Sequence, residues 1–293
     1  MKNTCAYLLV SPEALRRGWT GWILSAVVAR TGGLELAWAG LVTEPGGHAA
    51  LLVFRGENAA AKLSSAVGSK DLAGSVVAML GDGMVSSAKA DADVLSDLQK
   101  FAAAQSDTLV APAPAGAERS LVLVKPDNFG FPGIRPGAII DVLARTGLPL
   151  IAMKVHHMSV SEGMEFYGPV LDVLVEKFGA GPGRDHWEKI VEFMSGSRPA
   201  DVAEKDRSKP GTKKILALVF EGPDAIAKIR TVLGPTDPSK ASLGTIRKEF
   251  GSSIMVKAAH ASDSPENAAR EIAIVKVADN SLKRFVESAA CAE

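Results

Sequence analysis

The sequence predicts an α+β chain made of two copies of one β-α-β-β-α-β unit, each around a four-stranded, mainly antiparallel sheet, with a helical insertion in the second copy. Three observations predict it. At 293 residues the chain is long enough for about two domains. Its middle, Asp107 to Glu118, contains Ala-Pro-Ala-Pro-Ala-Gly from Ala111 to Gly116, which favours extended backbone and has nothing large to bury. The stretches on either side of that segment repeat one another, and a repeat constrains every later assignment.

Tyr7 to Pro12 (YLLVSP) is an apolar strand pattern that returns as Leu121 to Pro126 (LVLVKP). In the second copy Ser120 to Val124 alternates and is β-rich. Pro136 to Arg145 then has helical apolar spacing with Pro near its first turn, and Leu150 to Val155 is strand-like again. Ala29-Arg30-Thr31-Gly32 and Ala144-Arg145-Thr146-Gly147 close the matching helices. The register holds further on, with Leu52-Val53-Phe54-Arg55-Gly56 on Leu218-Val219-Phe220-Glu221-Gly222, Lys62 on Lys228 and Gly68 on Gly234. Lys214 to Phe220 is therefore a third strand, Pro223 to Leu233 a helix with Ile226 and Ile229 on one face, and Ile254 to Ala259 a fourth strand. Leu98 and Phe101 share the spacing of Leu282 and Phe285, which places a closing helix in each copy. Such a unit is the ferredoxin-like arrangement. The first copy has no counterpart of Met158 to Lys213, so that segment elaborates the core, and Arg198 to Pro210 within it reads as a loop. The expected division is 1–106, a linker at 107–118, and 119–293.

Thirty-three Lys and Arg balance thirty-three Asp and Glu, so no general electrostatic pull favours long nucleic acid or an anionic membrane. Any anion must be met by a local cluster. The most apolar stretch, Trp22 to Val42, is interrupted by Arg30 and Glu35, short of the roughly 18 uninterrupted apolar residues of a membrane span. The apolar run ending at Val10 is followed at once by Pro12, Glu13, Arg16 and Arg17, without the cleavage site of a signal peptide. Cys5 and Cys291, one at each end, fit free thiols of a cytoplasmic protein better than a disulfide framework.

Of the five histidines, His48, His156 and His157 read as strand-end or surface residues, and His186 beside Trp187 has no obvious acid partner. His260 differs. It follows the fourth strand in His260-Ala261-Ser262-Asp263-Ser264, Pro265 and Glu266 then open a helix, and Glu271 lies far enough along that helix to return its carboxylate to the imidazole. A carboxylate accepting one ring N–H fixes the tautomer and leaves the other nitrogen a free lone pair, as a nucleophilic histidine requires.

From Arg119 to Val277 the chain resembles the nucleoside diphosphate kinase family through three motifs in order: Lys125-Pro126-Asp127 after the first strand, Gly244-Thr245-Ile246-Arg247 before the fourth, and His260-Ala261-Ser262-Asp263-Ser264 after it. The similarity is weak only across about Gly168 to Thr212. The resemblance implies that His260 takes a phosphoryl group from a nucleoside triphosphate and passes it to a diphosphate, with Glu271 orienting it. It also implies that Lys125, Tyr167, Arg230, Thr236 and Arg247 hold the phosphates or the reacting group, with Mg²⁺ carried on the nucleotide. Phosphoryl transfer asks mainly for in-line positioning and positive charge, which suits guanidinium and ammonium groups.

The sequence departs from the family at Lys257, where an Asn usually helps to hold the sugar, at Leu243, and at Lys248-Glu249. The base clamp implied by the resemblance falls on His186, with Trp187 beside it, and on Ile254 as the opposite jaw. In the first copy Ser11, Ser64 and Lys89 stand where the second has Lys125, Arg230 and His260, so that copy is expected to run no chemistry and to take the place of a partner subunit within a homo-oligomeric family. The leading expectation is a cytoplasmic phosphotransferase acting on nucleoside di- and triphosphates. The alternatives are a nucleotide-binding regulatory or scaffold protein with a weakened site, and phosphoryl transfer from His260 to a protein.

Overall fold

The computed structural model describes residues 3–106, 109, 111–130 and 133–288; three positions of the expected linker and Cys291 lie outside the described residues. The first half runs β1 (Asn3–Val10), α1 (Pro12–Arg16), α2 (Thr20–Thr31), β2 (Glu35–Glu44), β3 (Gly47–Glu57), α3 (Ala59–Val67), α4 (Val76–Leu80), β4 (Val85–Ser87) and α5 (Asp91–Ala103). The second runs β5 (Glu118–Val124), α6 (Arg135–Ala144), β6 (Leu150–His156), α7 (Val160–Phe166), α8 (Gly168–Phe178), α9 (Ala180–Ser195), β7 (Ile215–Gly222), α10 (Ala225–Leu233), α11 (Ile246–Phe250), β8 (Ala259–Ala261), α12 (Pro265–Val275) and α13 (Leu282–Glu287). Two four-stranded antiparallel sheets result, ordered β2-β3-β1-β4 and β6-β7-β5-β8.

The two ladders match in register at several points. Tyr7 faces Val53 as Leu121 faces Val219. A bulge interrupts the edge strand at Leu36/Trp38 in one sheet and at Leu150/Ala152 in the other. Even the strained entry to the following helix recurs, with Asn58 at φ 53° and Asp224 at φ 55°. The halves differ between their second and third strands. There β2 and β3 form a plain hairpin, whereas β6 and β7 are separated by α7, α8 and α9. A capping box starts α7, in which Ser159 Oγ accepts from Glu162 N and Glu162 returns its carboxylate to Ser159 N.

Helices α2 and α6 bring the halves together through glycines. A Cβ on Gly21 would lie 2.3 Å from Asp141 N and 2.5 Å from Gly137 O, and one on Gly137 would lie 2.6 Å from Gly21 O and 2.4 Å from Ser25 Oγ. The contact is reciprocal, as across a two-fold axis. One apolar core runs through it, joining Ile23, Leu24 and Val27 to Ile139, Ile140 and Leu143. A second core on the other face of the β5–β7 sheet joins Leu121, Leu123, Ala217 and Val219 to Phe166, Trp187, Val191 and Val275. Among the described residues no helix is long and apolar enough to cross a membrane.

Three expectations are corrected. The fourth strand is Ala259–Ala261, not Ile254 to Ala259, because Ala258 at φ 64° breaks the extended backbone ahead of it. The ladder places Ser86 opposite Leu9 as it places His260 opposite Leu123, so Ser86 and not Lys89 stands at the histidine position of the first half. Helix α5 follows β4 as α12 follows β8, which makes α12 its counterpart; α13 instead packs against α5, with Leu98 and Leu282 both fully buried. Arg198 to Pro210 is the expected loop, with two 3-10 turns held by Arg198 on Asp185 and Glu188 and by Arg207 on the carbonyls of Pro199 and Val202.

Candidate active site

Strand β8 pairs with β5 so that His260 lies opposite Leu123, on the same face as the core beneath α7 and α12. Ser264 caps α12 by accepting from Asn267 N, and Pro265 occupies its first turn. That helix carries Glu271, 4% exposed, back to the imidazole: His260 Nε2 and Glu271 Oε1 are 3.0 Å apart. Ser262 Oγ donates to the other carboxylate oxygen at 2.6 Å and accepts from Leu121 N at 3.3 Å, which anchors the glutamate to the sheet. Glu271 accepting from Nε2 sets the tautomer, so Nδ1 carries the lone pair. Nδ1 makes no hydrogen bond among the described residues. The rings of Phe166 and Tyr167 stand edge-on to the imidazole at centroid distances of 5.1 and 6.4 Å. Burial, helped by the Glu271 charge, raises the Tyr167 phenol well above its ordinary range and keeps it a proton donor.

Four cations accompany the histidine. Lys125, 2% exposed at the end of β5, donates from Nζ to Met255 O at 2.7 Å and lies 4.4 Å from the Phe193 ring centroid. Burial, with repulsion from Lys257 and Arg247, pushes its ammonium down to about 7, and Asp127 offsets only part of this. Half-buried Lys257 is pushed down to about 8 by burial and by Arg247. Arg247, 5% exposed, donates from Nη1 to Gly234 O at 2.9 Å, while its Nε is buried without a partner. Burial and then Arg230 lower it to about 10. Arg230 is exposed at the last turn of α10, and Thr236 is exposed in the loop beyond. Each buried cation is destabilised by another, so a polyanion entering here relieves repulsion as it binds.

Residues 118–279 match the model of the nucleoside diphosphate kinase family. The chain belongs to the nucleoside diphosphate kinase family. It is 36% identical over 155 residues to a nucleoside diphosphate kinase of Chlamydia abortus, covering 53% of this chain and 89% of the relative. It is 37% identical over 158 residues to one of an Anaeromyxobacter species, covering 53% and 86%. A crystal structure of the Aquifex aeolicus nucleoside diphosphate kinase aligns at 31% identity over 54% of this chain and 94% of that one, with a TM-score of 0.39. The family match begins at β5 and stops one residue before Asn280.

The structure therefore brings His260, Glu271, Tyr167, Lys125, Lys257 and Arg247 around one end of the β5–β8 pair. Arg230 reaches the group through its repulsion of Arg247. The base-clamp residues are less united. Trp187 is 4% exposed and donates Nε1 to Tyr167 O at 2.9 Å, so it holds up the tyrosine from the core and does not face a ligand. His186 is half-buried and edge-on to Phe178 at 4.8 Å, and Ile254 is 60% exposed on a bend. His156, expected as a plain strand end, lies 3.0 Å from Glu162 of the capping box.

Sequence reading missed two residues. Ser262 braces Glu271, and its signal was available as the Ser of the third motif. Asn128, 3% exposed, bonds the carbonyls of Lys125 and Ala258, and nothing in a lone Asn after Lys-Pro-Asp marks it.

Proposed function

We infer that this enzyme transfers the γ-phosphoryl group of ATP to nucleoside diphosphates through Nδ1 of His260, in a catalytic domain at 119–293. The Nδ1 lone pair attacks the γ-phosphorus and the bond to the ADP oxygen breaks. A terminal oxygen of the incoming diphosphate then attacks the same phosphorus and the P–N bond breaks. Glu271 keeps the proton on Nε2 and faces the positive charge that develops on the ring. Lys125, Arg247, Arg230 and Lys257 supply charge to the phosphoryl oxygens, while Thr236 and the protonated Tyr167 supply hydroxyl donors.

A cluster of ammonium and guanidinium groups cannot ligate a metal. Mg²⁺ accordingly enters as part of the nucleotide substrate, held by its phosphates. The observation that carries this reading is a histidine whose one nitrogen is tied to a buried, serine-braced carboxylate, placed beside cations that no carboxylate neutralises fully. That intact pair disfavours a merely nucleotide-binding role.

The first half, 1–106, stands in for a partner subunit, and its sheet and the catalytic one are both ferredoxin-like. This is supported by the reciprocal glycine contact and by Asn280, whose Nδ2 donates to Ala39 O at 2.7 Å and to Met153 O at 2.9 Å, equivalent positions on the two facing edge strands. The assembly is a homo-oligomer of such paired units acting in the cytoplasm. Initial rates with ATP and GDP varied together test the mechanism: parallel double-reciprocal lines are expected, and intersecting lines would contradict a ping-pong cycle in which ADP leaves before GDP binds.

A further inference from the structure

Ala258 separates Lys257 from the strand that bears His260, and it has φ 64° although it is not glycine. A left-handed alanine is disfavoured and persists only where its surroundings over-determine it. The surroundings here are the local bond from Ala259 N to Lys257 O at 2.7 Å, which spans the alanine, and the turn after β5. Asp127 Oδ2 accepts from Ala258 N at 3.2 Å, and Ala258 O accepts from Lys125 N at 2.9 Å and from Asn128 Nδ2 at 2.8 Å. The same Asn128 Nδ2 also donates to Lys125 O at 3.0 Å. Of these grips, Asn128 supplies the only side-chain donor, and it ties the backbone of Lys125 to the backbone beside Lys257.

We propose that Asn128 is a positioning residue for phosphoryl transfer: it holds Ala258 in the left-handed conformation and thereby sets Lys257 and His260 relative to Lys125. Asn128 acts through backbone and touches no substrate. Without its amide, Ala258 O keeps one partner, the backbone relaxes toward negative φ, and the loop carrying Lys257 turns away from the phosphates. A glycine at 258 accepts positive φ without the alanine penalty, so it should restore what the amide enforced.

The proposal rests on the reading that His260 is the phosphoryl carrier, and His260→Ala in the parent enzyme tests that reading separately: retained turnover there would overturn the carrier and leave Asn128 to be judged on its own variants. In the full chain, Asn128→Ala should lower kcat for ATP and GDP at least tenfold while KM for GDP changes less than threefold. Adding Ala258→Gly should bring kcat back to within threefold of the parent. Thermal midpoints measured alongside separate stability from positioning. If Asn128→Ala does not fold, the isosteric Asn128→Asp, which loses the donor and keeps the shape, carries the same expectations. Unchanged kcat, or a loss that Ala258→Gly does not restore, overturns the proposal whatever happens to the midpoint.

Discussion

Lys125→Met keeps the length and volume of a side chain that is 2% exposed and removes its charge. The ammonium falls from 10.5 to about 7 in the folded enzyme, chiefly through burial. At about 1.4 kcal/mol per tenfold change in a protonation equilibrium, holding that charge costs the fold about 4–5 kcal/mol below pH 7. Methionine removes the cost but leaves Met255 O without its 2.7 Å donor, a loss of about 1–3 kcal/mol for a buried carbonyl. The variant should therefore be about 2 kcal/mol more stable than the parent at pH 6, while it transfers phosphoryl groups more slowly.

The slope has the same sign as for a carboxylate whose pKa is lowered, but here it is the charged form that the fold disfavours. Between about 7 and 10.5 the unfolded chain holds the Lys125 proton and the folded one does not, so the parent gains stability as pH rises through that window. The advantage of the variant should shrink by about 2–3 kcal/mol between pH 6 and pH 9. Urea denaturation of both proteins at the two pH values measures it. A variant less stable than the parent at pH 6, or a difference that grows toward pH 9, would refute the account of a buried, repelled ammonium.

Glu271→Gln removes the charge facing His260 at 3.0 Å and should slow phosphorylation of the enzyme by ATP about 10- to 150-fold in rapid-quench measurements, the equivalent of about 1.5–3 kcal/mol for a hydrogen bond to a charged group. In the first half, where Asp97 accepts from Tyr7 Oη at 2.9 Å, Asp97→Asn and Ser86→Ala should leave turnover within about twofold, with a midpoint shift for Asp97→Asn reflecting about 1 kcal/mol. Asn280→Ala strips one donor from two edge-strand carbonyls and should lower stability by about 1–3 kcal/mol without altering KM; urea midpoints and initial rates check both parts.

Much of the fold was legible because the repeat preserves register, down to the shared bulge and the paired left-handed residues Asn58 and Asp224. What failed did so where local pattern and long-range packing diverge. Leu98 and Leu282 look equivalent because each is the buried anchor of its helix, yet they belong to helices that meet one another. Lys89 was reached by extending an alignment across a loop whose length differs, which a ladder fixes and a sequence does not. The start of β8 was hidden because an alanine gives no sign of positive φ. In the site, the order of the motifs pointed to Lys125, Arg247 and His260, since each motif ends a strand or opens a helix at the same edge, and the helix that opens after His260 pointed to Glu271. The burial of Trp187 and the brace from Ser262 depend on which way side chains turn, and periodicity in α9 alone leaves that open.

The central claim is that His260 carries the phosphoryl group, and labelling the full-length enzyme with γ-labelled Mg-ATP tests it most directly. The label should be acid-labile and base-stable, map to the peptide holding His260, leave on addition of GDP but not of buffer, and be absent from His260→Ala. An acid-stable label, or one that persists in His260→Ala, would contradict the account.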